Sequence, residues 1–146
     1  MKNSEILLSI IIFFIPLISG FLTGNLCKMG DDAGKTINAR PPGYIFGIVW
    51  TILYLLLGGA WLYSRSKKKT VIVDILYILL IISLCTWVVI YGCKKDKKSA
   101  LYIIPISMLI TIFILIYTPN FYIAPLLVWL LFAFLLNFTE VNNLIV

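Results

Sequence analysis

The side chains of this chain whose types and spacing could do chemistry are aromatic. Trp50, Tyr54, Leu57 and Trp61 recur at i, i+4, i+7 and i+11, the spacing of one helical face. Trp129, Ala133 and Asn137 recur at i, i+4 and i+8, again on one face. Trp87 and Tyr91 form a further i, i+4 pair. A stripe of rings can stack a flat apolar ligand. A large ring, a small residue and an amide on one stripe can build a cavity wall with a single hydrogen-bonding group. Each pattern also has a plain structural reading. Deep aromatics pack helix against helix, and an asparagine in an apolar helix bonds across to a neighbour. Trp87 with Tyr91 fits packing or interfacial anchoring better than a pocket. Trp61 and Tyr63 fall near a segment end and are expected in the interfacial aromatic belt, whereas Trp50 and Tyr54 are too deep for it.

Other chemistries fall away. The chain has no histidine, which excludes His-based acid–base catalysis, Ser-His triads and His-ligated metals or haem. Its cysteines, Cys27, Cys85 and Cys93, form no C-x-x-C pair, so no metal site is expected. Cys85 sits in an apolar run and reads as a small hydrophobe. Cys27 and Cys93 fall near segment ends on the same side. A disulfide between them is compatible with that placement, but nothing in the spacing demands it, and it is disfavoured.

The elements that must position these residues follow from composition. Of 146 residues, 62% are hydrophobic and 12% charged, with a mean hydropathy of +1.05. A soluble fold of this length has too much surface to hide so much apolar area. Five runs are long enough to span a bilayer: about Glu5 to Leu26, Tyr44 to Tyr63, Val71 to Gly92, Ala100 to Tyr117 and Phe121 to Thr139. The expected fold is an all-α integral membrane protein, a single five-helix domain over residues 1–146. The first run is too long for a signal-peptide core and no small-residue cleavage site follows it, so it is expected as a retained helix. No Asp, Glu, Lys or Arg lies mid-segment; Asp74 sits near the start of the third helix. Ion-coupled transporters, proton relays and intramembrane hydrolases that need a buried ionisable group are therefore disfavoured.

The net charge of +6 is gathered in short runs between apolar blocks. There it acts as interfacial anchor and topology signal, and no polar domain exists to bind nucleic acid. Membrane lipid is the first expected partner. One side of the bundle holds Lys2, Arg65, Lys67, Lys68 and Lys69. The other holds Lys28, Lys35, Arg40, Lys94, Lys95, Lys97 and Lys98. The small excess on the second side would place the long first loop and the C-terminus in the cytoplasm.

Arg40-Pro41-Pro42-Gly43-Tyr44-Ile45-Phe46-Gly47-Ile48-Val49-Trp50-Thr51-Ile52-Leu53-Tyr54, followed by Gly58-Gly59-Ala60-Trp61, resembles the TspO/MBR family, the tryptophan-rich sensory or translocator proteins. The family pattern there is close to P-P-x-W-V-F-G-P-V-W-T-x-L-Y-x-x-M-G. The run from Ala124 to Asn137, with Pro125, Trp129, Phe132, Ala133 and Asn137, is similar to the family's fifth helix. The third helix matches more weakly through Leu76, Tyr77 and Trp87. The resemblance implies a five-helix bundle, usually a homodimer, whose pocket the first loop closes. It implies porphyrins and other planar apolar molecules as ligands, with sterols in animal members and a transport or sensory role. Pro42, Trp50, Tyr54, Trp87, Trp129, Ala133 and Asn137 then stand as ligand-binding residues. The tetrapyrrole is a ligand rather than a cofactor. Some bacterial members degrade protoporphyrin in light, which would make Trp50 and Trp129 the residues of an oxidation. A regulatory module acting through protein partners is the third alternative. The departures are specific. Thr36-Ile37-Asn38-Ala39 replaces the loop's K-P-x-W, Ile48 replaces a proline, and Leu84 replaces a third-helix asparagine. Phe138 stands where the sterol motif has Tyr, and no Lys or Arg follows Lys98.

Overall fold

The computed structural model describes residues 3–27, 43–68, 70–94 and 96–145, with the side chains of 43, 44, 46, 97 and 140–145 left aside. Pro42 and the loop from 28 to 42 lie outside the described residues.

Five long helices follow one another: α1 (Asn3–Leu26), α2 (Gly43–Lys67), α3 (Val71–Val88, continuing as a π-helical turn, Val89–Cys93), α4 (Lys97–Tyr117) and α5 (Ala124–Ile145), the last entered through a 3-10 turn at Phe121–Ile123. There is no strand among the described residues. Each helix is long and apolar enough to cross a bilayer. In hydrocarbon the backbone must satisfy itself, and a helix does so within one segment. Pro16 in α1 and Pro105 in α4 are absorbed within their helices.

Local signals set the boundaries. Asp96 caps α4, its carboxylate accepting the Ser99 backbone N–H at 3.1 Å and the Ser99 hydroxyl at 2.7 Å. The α4–α5 turn ends on Asn120, whose side chain accepts the Tyr122 N–H at 2.9 Å. α2 runs four residues past Tyr63, which puts Arg65 and Lys67 in its last turn, where cations suit the helix C-terminus.

α1 lies along α2, α3 along α4 and α4 along α5. Leu57, Leu80, Leu84, Ile104, Ile114 and Leu130 fill the interior. Leu7, Ile18, Leu22, Ile52, Ile82, Phe113 and Val128 face outward. An outer surface of large aliphatic residues is what lipid contact selects, and the chain is a multi-pass integral membrane protein. α1 has the thinnest hold on the interior, burying Ile12, Pro16 and Gly20.

Three findings differ from the sequence reading. Trp61 is not a belt residue. It is buried, stacked on Tyr77 at 5.8 Å between centroids and 3° between planes, and its indole N–H donates to Asp74 at 2.9 Å. Asp74 also accepts from Arg65 at 2.6 Å. Second, Cys27 and Cys93 form a disulfide, their Cα atoms 4.6 Å apart. Third, the sequence carries two G-x-x-x-G steps of the kind that lets helices approach closely, Gly20–Gly24 and Gly43–Gly47; Gly20 is a contact, with the Tyr54 ring where its Cβ would be, but Gly24 and Gly47 have nothing within 4 Å of that position. α1 and α2 also approach closely at Gly58, where the Phe13 carbonyl occupies the space of a side chain.

The end of the bundle where α2 meets α3 and α4 meets α5 is held by a buried polar network. The Ser64 hydroxyl lies 2.8 Å from the Tyr77 hydroxyl and 2.8 Å from that of Thr118. The Asn120 amide donates to the Ala60 carbonyl at 2.9 Å and to Ser64 at 3.3 Å. Every partner is hydrogen-bonded, so the network ties four helices together without an unpaired group.

Candidate functional site

At mid-bundle the aromatic stripes converge. Trp50 of α2 lies 6.1 Å from Trp87 of α3 and 6.3 Å from Trp129 of α5, centroid to centroid. The first pair is tilted at 35°, and the second is edge-to-face at 89°. Tyr54 lies one turn on along α2, 5.4 Å from Trp50. Tyr91 lies one turn on along α3, 5.0 Å from Trp87. Phe132 flanks Trp129 at 5.0 Å. The i, i+4 spacings of α2 and α3 thus build two short ladders of rings that meet at Trp50 and Trp87, and α5 sets a third indole against them.

Trp50, Tyr54, Trp87 and Tyr91 are buried, and Trp129 is half-buried. Ala133 and Asn137 are buried one and two turns beyond Trp129 on the same face of α5. The structure therefore brings Trp50, Tyr54, Trp87 and Trp129 into one cluster and carries Ala133 and Asn137 inward beside it. Pro42 lies outside the described residues. Tyr91 and Phe132 join the cluster although neither stands among the expected ligand-binding residues. For Tyr91 the sequence favours packing or interfacial anchoring over a pocket role, and Phe132 sits three residues after Trp129, a spacing that shares its face.

The polar atoms of this cluster are its informative feature. Among the described residues, neither the Trp50 nor the Trp87 indole nitrogen has a hydrogen-bond partner, although both are fully buried. A buried donor left unpaired costs about 1–3 kcal/mol, and native structures keep few of them. Trp61, on the same helix as Trp50, pairs its N–H with a carboxylate, so pairing is within reach of these tryptophans where an acceptor stands nearby. The arrangement offers flat apolar faces and two inward-turned N–H donors. Among the described residues no group of His, Cys, Asp and Glu is placed to hold a metal ion.

A five-helix membrane bundle with an aromatic interior is the class of protein that this fold and cluster define. The family model of the TspO/MBR family matches residues 8–141, and the chain belongs to that family. No curated protein matches the chain.

Proposed function

We propose that the chain binds a planar, largely apolar molecule carrying hydrogen-bond acceptors, of the tetrapyrrole class, between α2, α3 and α5. The observation that carries this reading is the pair of buried, unpartnered indole N–H groups of Trp50 and Trp87 inside a cluster of rings. In the free protein those two donors are an unrelieved penalty of about 1–3 kcal/mol each. An acceptor on the ligand removes it, so the relief adds to affinity. The ring faces of Trp50 and Trp129 supply stacking worth about 0.5–1.5 kcal/mol per pair beyond area burial. A tetrapyrrole answers both features, with a broad flat face and nitrogen and carboxylate acceptors at its centre and edge. Binding is the step that sensing and passage across a membrane have in common, and it is the step these residues serve.

The test is titration of the detergent-solubilised protein with protoporphyrin, read by quenching of tryptophan fluorescence and by the porphyrin absorption band. Trp50→Phe with Trp129→Phe is expected to weaken binding about tenfold or more, the factor that about 1.4 kcal/mol produces. Trp87→Phe, which removes one donor and little area, is expected to weaken it by a smaller factor. Unchanged affinity in the double variant would refute the site.

A further inference from the structure

We propose that the Cys27–Cys93 disulfide is a redox-operated clasp that holds the C-terminal half of α1 over the aromatic interior. The part of this that concerns ligand access rests on the binding reading above; the clasp itself does not.

α1 covers the cluster at two points. At Gly20 it sits directly against the Tyr54 ring, which stands next to Trp50. At Cys27 its backbone carbonyl lies 2.6 Å from where a Cβ on Gly92 would be, and Gly92 follows Tyr91. Between these points the α1–α3 seam is closed by weak contacts. The Thr23 hydroxyl lies 3.9 Å from the Cys85 sulfur, and that sulfur lies 4.0 Å from the Ser19 carbonyl. α1 otherwise leans on α2 and buries few side chains of its own. The crosslink from the end of α1 to the π turn of α3 is therefore the strongest tie across that seam. A π turn also breaks the regular α3 ladder at the point of attachment.

The bond is placed to be operated. Cys93 is exposed while Cys27 is buried. A dithiol reductant attacks the Cys93 sulfur through its thiolate. The sulfur–sulfur bond breaks, and Cys27 leaves as a thiolate and takes up a proton. The reductant's second thiolate then displaces Cys93, which is protonated in turn, and the reductant departs as its own disulfide. Two electrons and two protons pass from the dithiol to the pair. With the crosslink gone, the last turns of α1 lift from Gly92 and Tyr54, and the seam opens toward Tyr91 and Trp87.

Cys85 reports on the seam without any ligand. The full-length protein in lipid nanodiscs is treated with N-ethylmaleimide, and modification of the Cys85 peptide is followed by mass spectrometry. The comparison is among oxidised wild type, wild type reduced with dithiothreitol, and Cys27→Ser/Cys93→Ser. Cys85 is expected to react at least about tenfold faster in the reduced protein and in the double variant, since both have lost a loop-closing crosslink. Equal rates in oxidised and reduced wild type would overturn the clasp, whatever the double variant does. The same samples are then mixed with protoporphyrin. Faster association on reduction supports control of access; faster Cys85 labelling with unchanged association overturns that control and leaves the clasp. If protoporphyrin binds in neither state, the binding proposal fails and Cys85 still decides the clasp.

Discussion

The same substitution at two tryptophans on one face of α2 should have opposite consequences. Trp61→Phe removes an N–H that donates to Asp74 at 2.9 Å. A hydrogen bond to a charged group is worth about 1.5–3 kcal/mol. The Asp74 side chain is 31% exposed, so the lower end of that range applies. The smaller ring keeps its stack on Tyr77 and leaves a void worth on the order of 1 kcal/mol. Trp61→Phe should therefore destabilise by about 2.5 kcal/mol. Trp50→Phe leaves a similar void but removes a donor that is already unpaired, and relief of about 1–3 kcal/mol offsets the void. That variant should be as stable as wild type, or up to about 2 kcal/mol more stable, while binding protoporphyrin less tightly. The assay is reversible unfolding in mixed detergent micelles at increasing SDS, followed by circular dichroism, beside the porphyrin titration. A loss of more than about 2 kcal/mol at Trp50 with unchanged binding would refute the reasoning. It would show that the indole N–H is satisfied and the ring is packing.

Three further outcomes follow from the rest of the molecule. Asn120→Ala should cost about 2–3 kcal/mol, because it removes donations to Ala60 and Ser64 and the acceptor for the Tyr122 N–H. Asn120→Asp should be worse near neutral pH, because an ionised carboxylate would face the Ala60 carbonyl. Burial raises that carboxyl's pKa above its unfolded value of about 3.9, so the deficit must grow as pH rises from acid, and a flat profile would contradict it. Gly58→Ala should lose about 1–3 kcal/mol in the same unfolding assay, since the Phe13 carbonyl occupies the Cβ position. Gly59→Ala, whose Cβ would meet only the Phe13 ring at 4.0 Å, should be neutral or slightly stabilising. The Ser99 hydroxyl and N–H hold the Asp96 carboxyl below the usual range. Its capping contribution is therefore present above the unfolded pKa and lost as pH falls through the folded value. Amide exchange in the first turn of α4 should rise in acid relative to Asp96→Asn, which has no such titration.

The five helices were legible because run length against bilayer thickness is a one-dimensional quantity. The ring cluster was legible because i, i+4 spacing fixes a face without reference to any partner. What could not be read depends on distances between segments. Cys27 and Cys93 are 66 residues apart in sequence, and only the packing of α1 on α3 brings them together. Trp61 looked interfacial because the second helix was expected to end at Tyr63. The extra turn to Lys67 draws Trp61 inward, and Asp74 across the α2–α3 turn supplies the acceptor that lets an indole be buried. Gly20-x-x-x-Gly24 matched a close-packing motif, yet only Gly20 is used, because Gly24 has no neighbour to approach. Gly58 carries the tight crossing on the strength of where Phe13 falls on α1, which no pattern within α2 encodes.

The two ends of the bundle are built on different principles, and the difference bears on how a ligand could be admitted. At the α2–α3 and α4–α5 turns, Ser64, Tyr77, Thr118 and Asn120 satisfy one another, and Asp74 joins Trp61 to Arg65. These shared hydrogen bonds cross between elements, so α2, α3, α4 and α5 form a frame that resists rearrangement. The aromatic cluster hangs from that frame on α2, α3 and α5. α1 takes no part in the network and meets the cluster at Gly20, against the Tyr54 ring, and through the Cys27–Gly92 contact beside Tyr91. Segments that move in binding are drawn from the least stable part of a structure. A flat molecule that must part the rings of Trp50 and Trp87 would therefore work against α1 and its crosslink, with the four-helix frame as the fixed side of the opening.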